Sequence, residues 1–132
     1  MAYDGPALVG HASAVPRRIR FGGKWCTVGY VEAVATRSER QRAGIYQAVM
    51  NALHNEIQHR WSVGVLSTGH ARGFYERLGW VSWEGPSYVL TEQGEVRTED
   101  EDAGLMVRTF DGTPCIDPTV SMTCENRPGD AW

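Results

Sequence analysis

Ile45, Ala48, Val49, Ala52, Leu53 and Ile57 recur at i, i+3, i+4, i+7, i+8 and i+12. That spacing puts them on one face of a helix over 44–59. A β-prone run lies on each side: "KWCTVGYVEAVAT" (24–36) before it and "WSVGVLS" (61–67) after it. Ahead of the first run, Gly22-Gly23 is a hairpin signal and "ALVGHASAVPRRIRF" (7–21) is extended in character. A strand–helix–strand unit attached to an antiparallel hairpin dictates a mixed sheet with helices packed on it, an α/β (α+β) domain. With 132 residues, one domain spanning 1–132 is expected.

After that unit comes "HARGFYERLGW", a short helix stopped at Gly79. Phe74 and Leu78 share a face and are expected in the core. Tyr75 lies about 100° round from Phe74, at the shoulder of that face. Farther on, "WVSWEG" and "PSYVL" read as strands, "TEQGEVRTEDEDAG" as a polar acidic connection, "LMVRTF" as a late strand, and 111–132 as an irregular tail.

Composition narrows the function class. A net charge of −3 gives no electrostatic argument for nucleic acid or an anionic membrane, and suits a cationic partner instead. Three widely spaced cysteines, Cys26, Cys115 and Cys124, exclude a fully paired disulfide framework and fit a reducing compartment. No apolar run approaches the ~20 residues of a membrane span, and a cytoplasmic protein is expected. No metal site is expected: His54 and His59 fall on different helix faces, and His11 and His70 have no ligand partners at suitable spacing.

The junction between the second strand and the long helix, "TRSERQRAGIYQAV", can hold anions. Free backbone N–H groups and the dipole at a helix N-terminus favour phosphate, Gly44 allows close approach, and Arg37, Arg40 and Arg42 add positive charge. By itself this is also how an ordinary helix start with solvated arginines reads.

Gln41-x-x-Gly44 after a strand resembles the coenzyme-A pyrophosphate loop of the GNAT superfamily of N-acetyltransferases, and "FYERLGW" resembles that superfamily's later helix. "GYVEAVATR", "GVLSTG", "FYERLGW", "GPSYVL" and "MTCENRPGDAW" together resemble, in order, the aminoglycoside 2′-N-acetyltransferases. The resemblance implies a GNAT-like mixed, mostly antiparallel sheet flanked by helices, N-terminally truncated because the strand and helices that open the superfamily's fold have no counterpart here. It implies acetyl-CoA as co-substrate, bound by backbone groups of Val34, Ala35 and Thr36 and by the loop Gln41, Arg42, Ala43, Gly44, Ile45 and Tyr46. Tyr46 stands where the superfamily has a small residue, so its bulk must point away from the phosphates.

For catalysis the resemblance assigns Glu32 as base toward the acceptor ammonium, the Val34 N–H as oxyanion donor, and the Tyr75 hydroxyl as general acid toward the departing thiolate. A phenol of pKa about 10 suits a thiol of pKa about 8.5. Read from the residues alone, a carboxylate amid so apolar a strand is paired, protonated or functional. The alternative to a base is a bulge or edge carboxylate paired with an arginine, and the alternative for Tyr75 is a packing residue. The implied acceptor, an aminoglycoside or other cationic amine, would meet Glu32, the backbone of Ala33, Ser67, Glu101, Asp130 and Trp132, the last three in an acidic run and tail that complete the site. Transfer is expected to be direct, without an acyl-enzyme. The alternatives are a GNAT enzyme acting on another polyamine or amino sugar, and a truncated form that binds acyl-CoA or aminoglycoside with little or no turnover. A sheet edge and apolar face left open by the missing front predict a homodimer.

Overall fold

The computed structural model describes residues 2–4, 7–10, 13–32, 43–68, 72–110, 116–128 and 131–132, with backbone only for 2–4, 7–10 and 43–47. Gly22, at φ +62°, makes the expected hairpin turn. It joins β3 (Ser13–Phe21) to β4 (Lys24–Glu32), which pair without a break from Ser13 opposite Glu32 to Phe21 opposite Lys24. The segment before them is divided: β1 (Ala2–Asp4) and β2 (Ala7–Gly10) form a separate antiparallel pair.

The crossover helix is α1 (Ala43–Arg60), and it leads into β5 (Val63–Ser67), parallel to β4. Its buried stripe is Met50, Leu53 and Ile57, whereas Ala48 and Ala52 are exposed. The expected apolar face is therefore rotated. Burying the long Met50 removes more apolar surface from water than burying two alanines.

The short helix is α2 (Arg72–Arg77). Its end is a Schellman cap: Trp80 N–H donates to the Tyr75 carbonyl at 3.0 Å and Gly79 N–H to Glu76 at 3.1 Å, with Gly79 at φ +95°. The apolar contact that accompanies such a cap joins Trp80 to Tyr75, whose ring centroids lie 6.3 Å apart. This corrects the expected placement of Tyr75. It is 5% exposed and is the buried residue of α2, while Phe74 and Leu78 are only half-buried.

β6 (Val81–Ser82), β7 (Ser87–Thr91), β8 (Gly94–Arg97), a 3-10 helix (Glu99–Gly104) and β9 (Leu105–Thr109) follow. The acidic connection thus contains a strand, β8, hairpinned on β7. The tail is not irregular throughout either: Met122–Glu125 forms β10, antiparallel to β3 and parallel to β7. The sheet order is β6-β9-β5-β4-β3-β10-β7-β8, mixed and mostly antiparallel as expected.

Alternation along the strands sorts the core onto two faces. Val28 and Tyr30 of β4, Val63 and Val65 of β5, and Leu105 and Val107 of β9 belong to one cluster with Trp83, Met122 and Trp132. Val31, Leu66 and Met106, one residue out of phase, belong to the other with Met50, Leu53, Ile57, Tyr75 and Trp80. The helices cover the second face. On the first, Ile116, Val120, Ala131 and Trp132 of the C-terminal segment pack against the cluster.

Candidate active site

β4 and β5 pair at Gly29–Gly64 and Tyr30–Val65, and no further pair joins them among the described residues although both strands continue. Strands that stop pairing in this way suit a third extended segment between them. Both strands are held by glycines at the last pairings. A Cβ on Gly29 would come within 2.5 Å of the Trp61 ring, and one on Gly64 within 2.9 Å of Trp80.

Glu32 and Ser67 each lie two residues beyond the Tyr30–Val65 pair, so by alternation both side chains belong to the face of Tyr30 and Val65. Ser67 Oγ donates to Glu101 Oε2 at 3.2 Å. Ser67, Thr68, Arg72, Asp100, Glu101, Ala103 and Gly104 line a cavity of about 310 Å³. Two carboxylates and one guanidinium in that lining favour a cationic group. Gly104 is required there, because a Cβ would approach the Thr68 carbonyl oxygen to 2.4 Å. Thr68 N–H in turn donates to the Gly104 carbonyl at 2.9 Å.

The acidic run divides by role. Asp102 does not open to the cavity: it holds Arg97 through both carboxylate oxygens, at 2.8 and 2.6 Å, and accepts from Ser87 Oγ at 2.7 Å. Arg97 first, with the Ser87 bonds, pulls its pKa down to about 2. The fully buried Ser87 also meets Thr98 Oγ1 at 2.6 Å, and Trp132 Nε1 donates to that same hydroxyl at 3.1 Å. Trp132, predicted to meet substrate, is 6% exposed, and its ring is a core element.

Glu32 is ion-paired with Arg127, of the segment after β10, and the Arg127 guanidinium lies 5.3 Å from the centre of the Tyr30 ring. Arg17 stacks on the same ring at 4.9 Å, and its guanidinium donates to the carbonyls of Ala131 at 2.5 Å and Glu125 at 2.9 Å. Burial pushes the Tyr30 hydroxyl well above the usual phenol range against the pull of both arginines, so the ring stays neutral. Burial likewise raises Cys124, whose thiol donates to the Ala131 carbonyl at 3.4 Å.

Four of the predicted acceptor residues, Glu32, Ser67, Glu101 and Trp132, are thus associated with one face of the sheet. Tyr75 belongs to the cluster on the other. The structure does not bring Glu32 and Tyr75 into one cluster. Ala43, Gly44, Ile45 and Tyr46 form the first turn of α1 in backbone terms. Ala33, Val34, Ala35, Thr36, Gln41, Arg42 and Asp130 lie outside the described residues. Arg127, Arg17 and Arg72 were missed by sequence reasoning. Nothing local distinguishes them from surface arginines, since their partners come from distant segments. Among the described residues no group of three or more His, Cys, Asp or Glu could hold a metal ion, and no helix is long and apolar enough to cross a membrane.

Comparison with known proteins agrees with this architecture. The acetyltransferase (GNAT) domain family matches residues 1–82. An aminoglycoside 2′-N-acetyltransferase of Mycolicibacterium fortuitum is 39% identical over 130 residues, covering 96% of this chain. The chain spans 66% of that relative's length. A mixed sheet whose parallel central strands part beside a crossover helix, together with a family match over more than half its residues, makes this chain a member of the GNAT acetyltransferase family.

Proposed function

We propose that this chain is an acetyl-CoA-dependent N-acetyltransferase that acts on the 2′-amino group of an aminoglycoside. The observation carrying the reading is the fork where β4 and β5 stop pairing, with Glu32 just beyond it on one strand and Ser67, bonded to Glu101, on the other. The 39% identity to a 2′-N-acetyltransferase supports the choice of acceptor.

An extended pantetheine arm adds at this fork as a strand, through Val34, Ala35 and Thr36. The loop Gln41 to Tyr46, at the N-terminus of α1, fits its pyrophosphate. Bound there, acetyl-CoA supplies an activated acyl carbon and a thiolate leaving group. Glu32 takes a proton from the acceptor ammonium, directly or through one water, and the freed amine lone pair forms the C–N bond. The Val34 N–H stabilises the developing oxyanion. As the C–S bond breaks, Tyr75 gives its proton to the sulfur and the remaining surplus proton on the adduct nitrogen passes to the phenolate or to water, leaving an acetamide and free thiol. Ser67, Glu101, Asp130, the Ala33 backbone and the Trp132 carboxylate hold the remaining ammonium and hydroxyl groups. No metal takes part. The enzyme works in the cytoplasm as a homodimer. Sheet edges β6 and β8 bear the exposed Val81 and Val96, which support association through an edge.

Thiol release from acetyl-CoA that depends on an aminoglycoside with a 2′-amine is the expected result. The Glu32–Arg127 ion pair favours one second reading, a binder with little turnover, because the proposed base is already occupied. Calorimetric binding of acetyl-CoA and drug without thiol release would select it.

A further inference from the structure

Two guanidinium groups lie over one tyrosine ring, and they are held in different ways. Arg17 is 9% exposed and anchored to main-chain carbonyls, which makes it part of the scaffold. Arg127 is held by the Glu32 carboxylate, with the two side chains 28% and 32% exposed. An ion pair that wet is exchangeable, because water compensates each partner as it separates. The neutral Tyr30 ring gives Arg127 a face to rest on and no counter-charge. A second cation brought to Glu32 is therefore opposed by the Arg127 guanidinium already paired with it.

We propose that Arg127 determines specificity at the acceptor site: in the empty protein its guanidinium occupies the position on Glu32 that a substrate ammonium takes, and an amine enters by displacing it. The proposal rests on the reading of Glu32 as the acceptor carboxylate. A resident competitor penalises amines carrying a single charge. It favours polycations, whose other ammonium groups gain Glu101 and Asp100 in the neighbouring cavity as they lose part of their interaction with Glu32.

The sign of one substitution separates this from a structural role. Binding of neamine, a two-ring aminoglycoside bearing a 2′-amine, is measured by calorimetry for the wild-type chain and for Arg127→Met, Arg127→Gln and Arg127→Lys, with melting curves to confirm folding. The neutral variants should bind about fivefold or more tightly, and the lysine variant, which keeps the competing charge, should stay within about twofold of wild type. A scaffold arginine predicts the reverse order, since its loss loosens the C-terminal segment. Equal or weaker binding by the folded neutral variants overturns the proposal. Glu32→Gln tells the two failures apart. If it abolishes neamine binding while the neutral Arg127 variants gain nothing, only the displacement is wrong; if it binds like wild type, or if no variant binds neamine, the reading of Glu32 falls as well.

Discussion

Replacing Trp132 by alanine tests whether the last residue is a piece of the core or a substrate contact on a loose end. The ring is 6% exposed and packs in the same cluster as Tyr30, Val65 and Met122. A tryptophan side chain covers ~150–250 Å², and at ~25 cal/mol per Å² that is about 4–6 kcal/mol of apolar burial, an upper bound. Core Trp→Ala changes remove about 3–5 kcal/mol, and this one also takes the Nε1 donor from Thr98 Oγ1, the hydroxyl that ties the tail to Ser87. We therefore expect Trp132→Ala to lower stability by about 3–5 kcal/mol. Trp132→Phe, which keeps an aromatic ring, should lose about 1 kcal/mol for the missing hydrogen bond. Urea denaturation followed by far-ultraviolet circular dichroism reads both, the midpoint moving at constant slope. A loss below about 1 kcal/mol for the alanine variant would refute the reasoning, because no buried indole is so dispensable. The phenylalanine variant should keep amine affinity if the residue's role toward substrate lies in its carboxylate.

Tyr75→Phe keeps the ring that seals the α2 cap, so thermal stability should stay within about 1 kcal/mol of wild type. Turnover in the thiol-release assay should fall by about 10²–10⁴-fold; an unchanged kcat removes the acid role. Gly29→Ala drives a methyl into the Trp61 ring, and the expected loss is about 1–3 kcal/mol. The penalty should largely vanish in a Trp61→Ala background, and a cycle with no coupling would place the strain elsewhere. His54, on α1, accepts from Trp80 Nε1 at 3.0 Å through Nε2 and must carry its proton on Nδ1. Burial, with Arg108 adding to it, lowers its pKa to about 4. The folded state resists protonation, so this contribution is complete above pH 6.5 and fades as the pH falls from there toward 4. For a half-buried ring it is worth about 1 kcal/mol after screening. His54→Gln, which retains an acceptor and does not titrate, should flatten that part of the melting temperature profile; an unaltered profile would point to other groups.

The elements that declared themselves in the sequence are those whose pattern is local. The hairpin at Gly22, the crossover helix and β5 were legible because turn chemistry and period 3.6 or 2 are written in consecutive residues. β10 was not. "SMTCE" is short, half polar and set among prolines, and it becomes a strand only because β3 and β7 flank it on both sides. β8 was hidden by its charges, which suit an edge strand as well as a loop. Tyr75 was read as the shoulder of a face filled by Phe74 and Leu78, whereas it is the buried residue, because a six-residue helix is oriented by its cap and not by its apolar period. At the site, Ser67 and Glu101 were both named as acceptor residues, and their hydrogen bond joins segments 34 residues apart. Arg127 stayed invisible because an ion pair between residues 32 and 127 leaves no trace in the spacing of either.

The insertion of β10 between β3 and β7 also bears on how the molecule is put together. Its register joins Met122 to Phe21 on one side and to Ser87 on the other, so the β7–β8 hairpin is wired to the rest of the sheet through a strand contributed from far along the chain. Contacts of such separation form late and slowly. A chain stalled before that event is two half-sheets with a slot between them, and a synthetic peptide of residues 116–132 is the key cut for it. Fragment complementation, with the peptide added in trans to residues 1–115, would turn assembly of this sheet into a titratable signal.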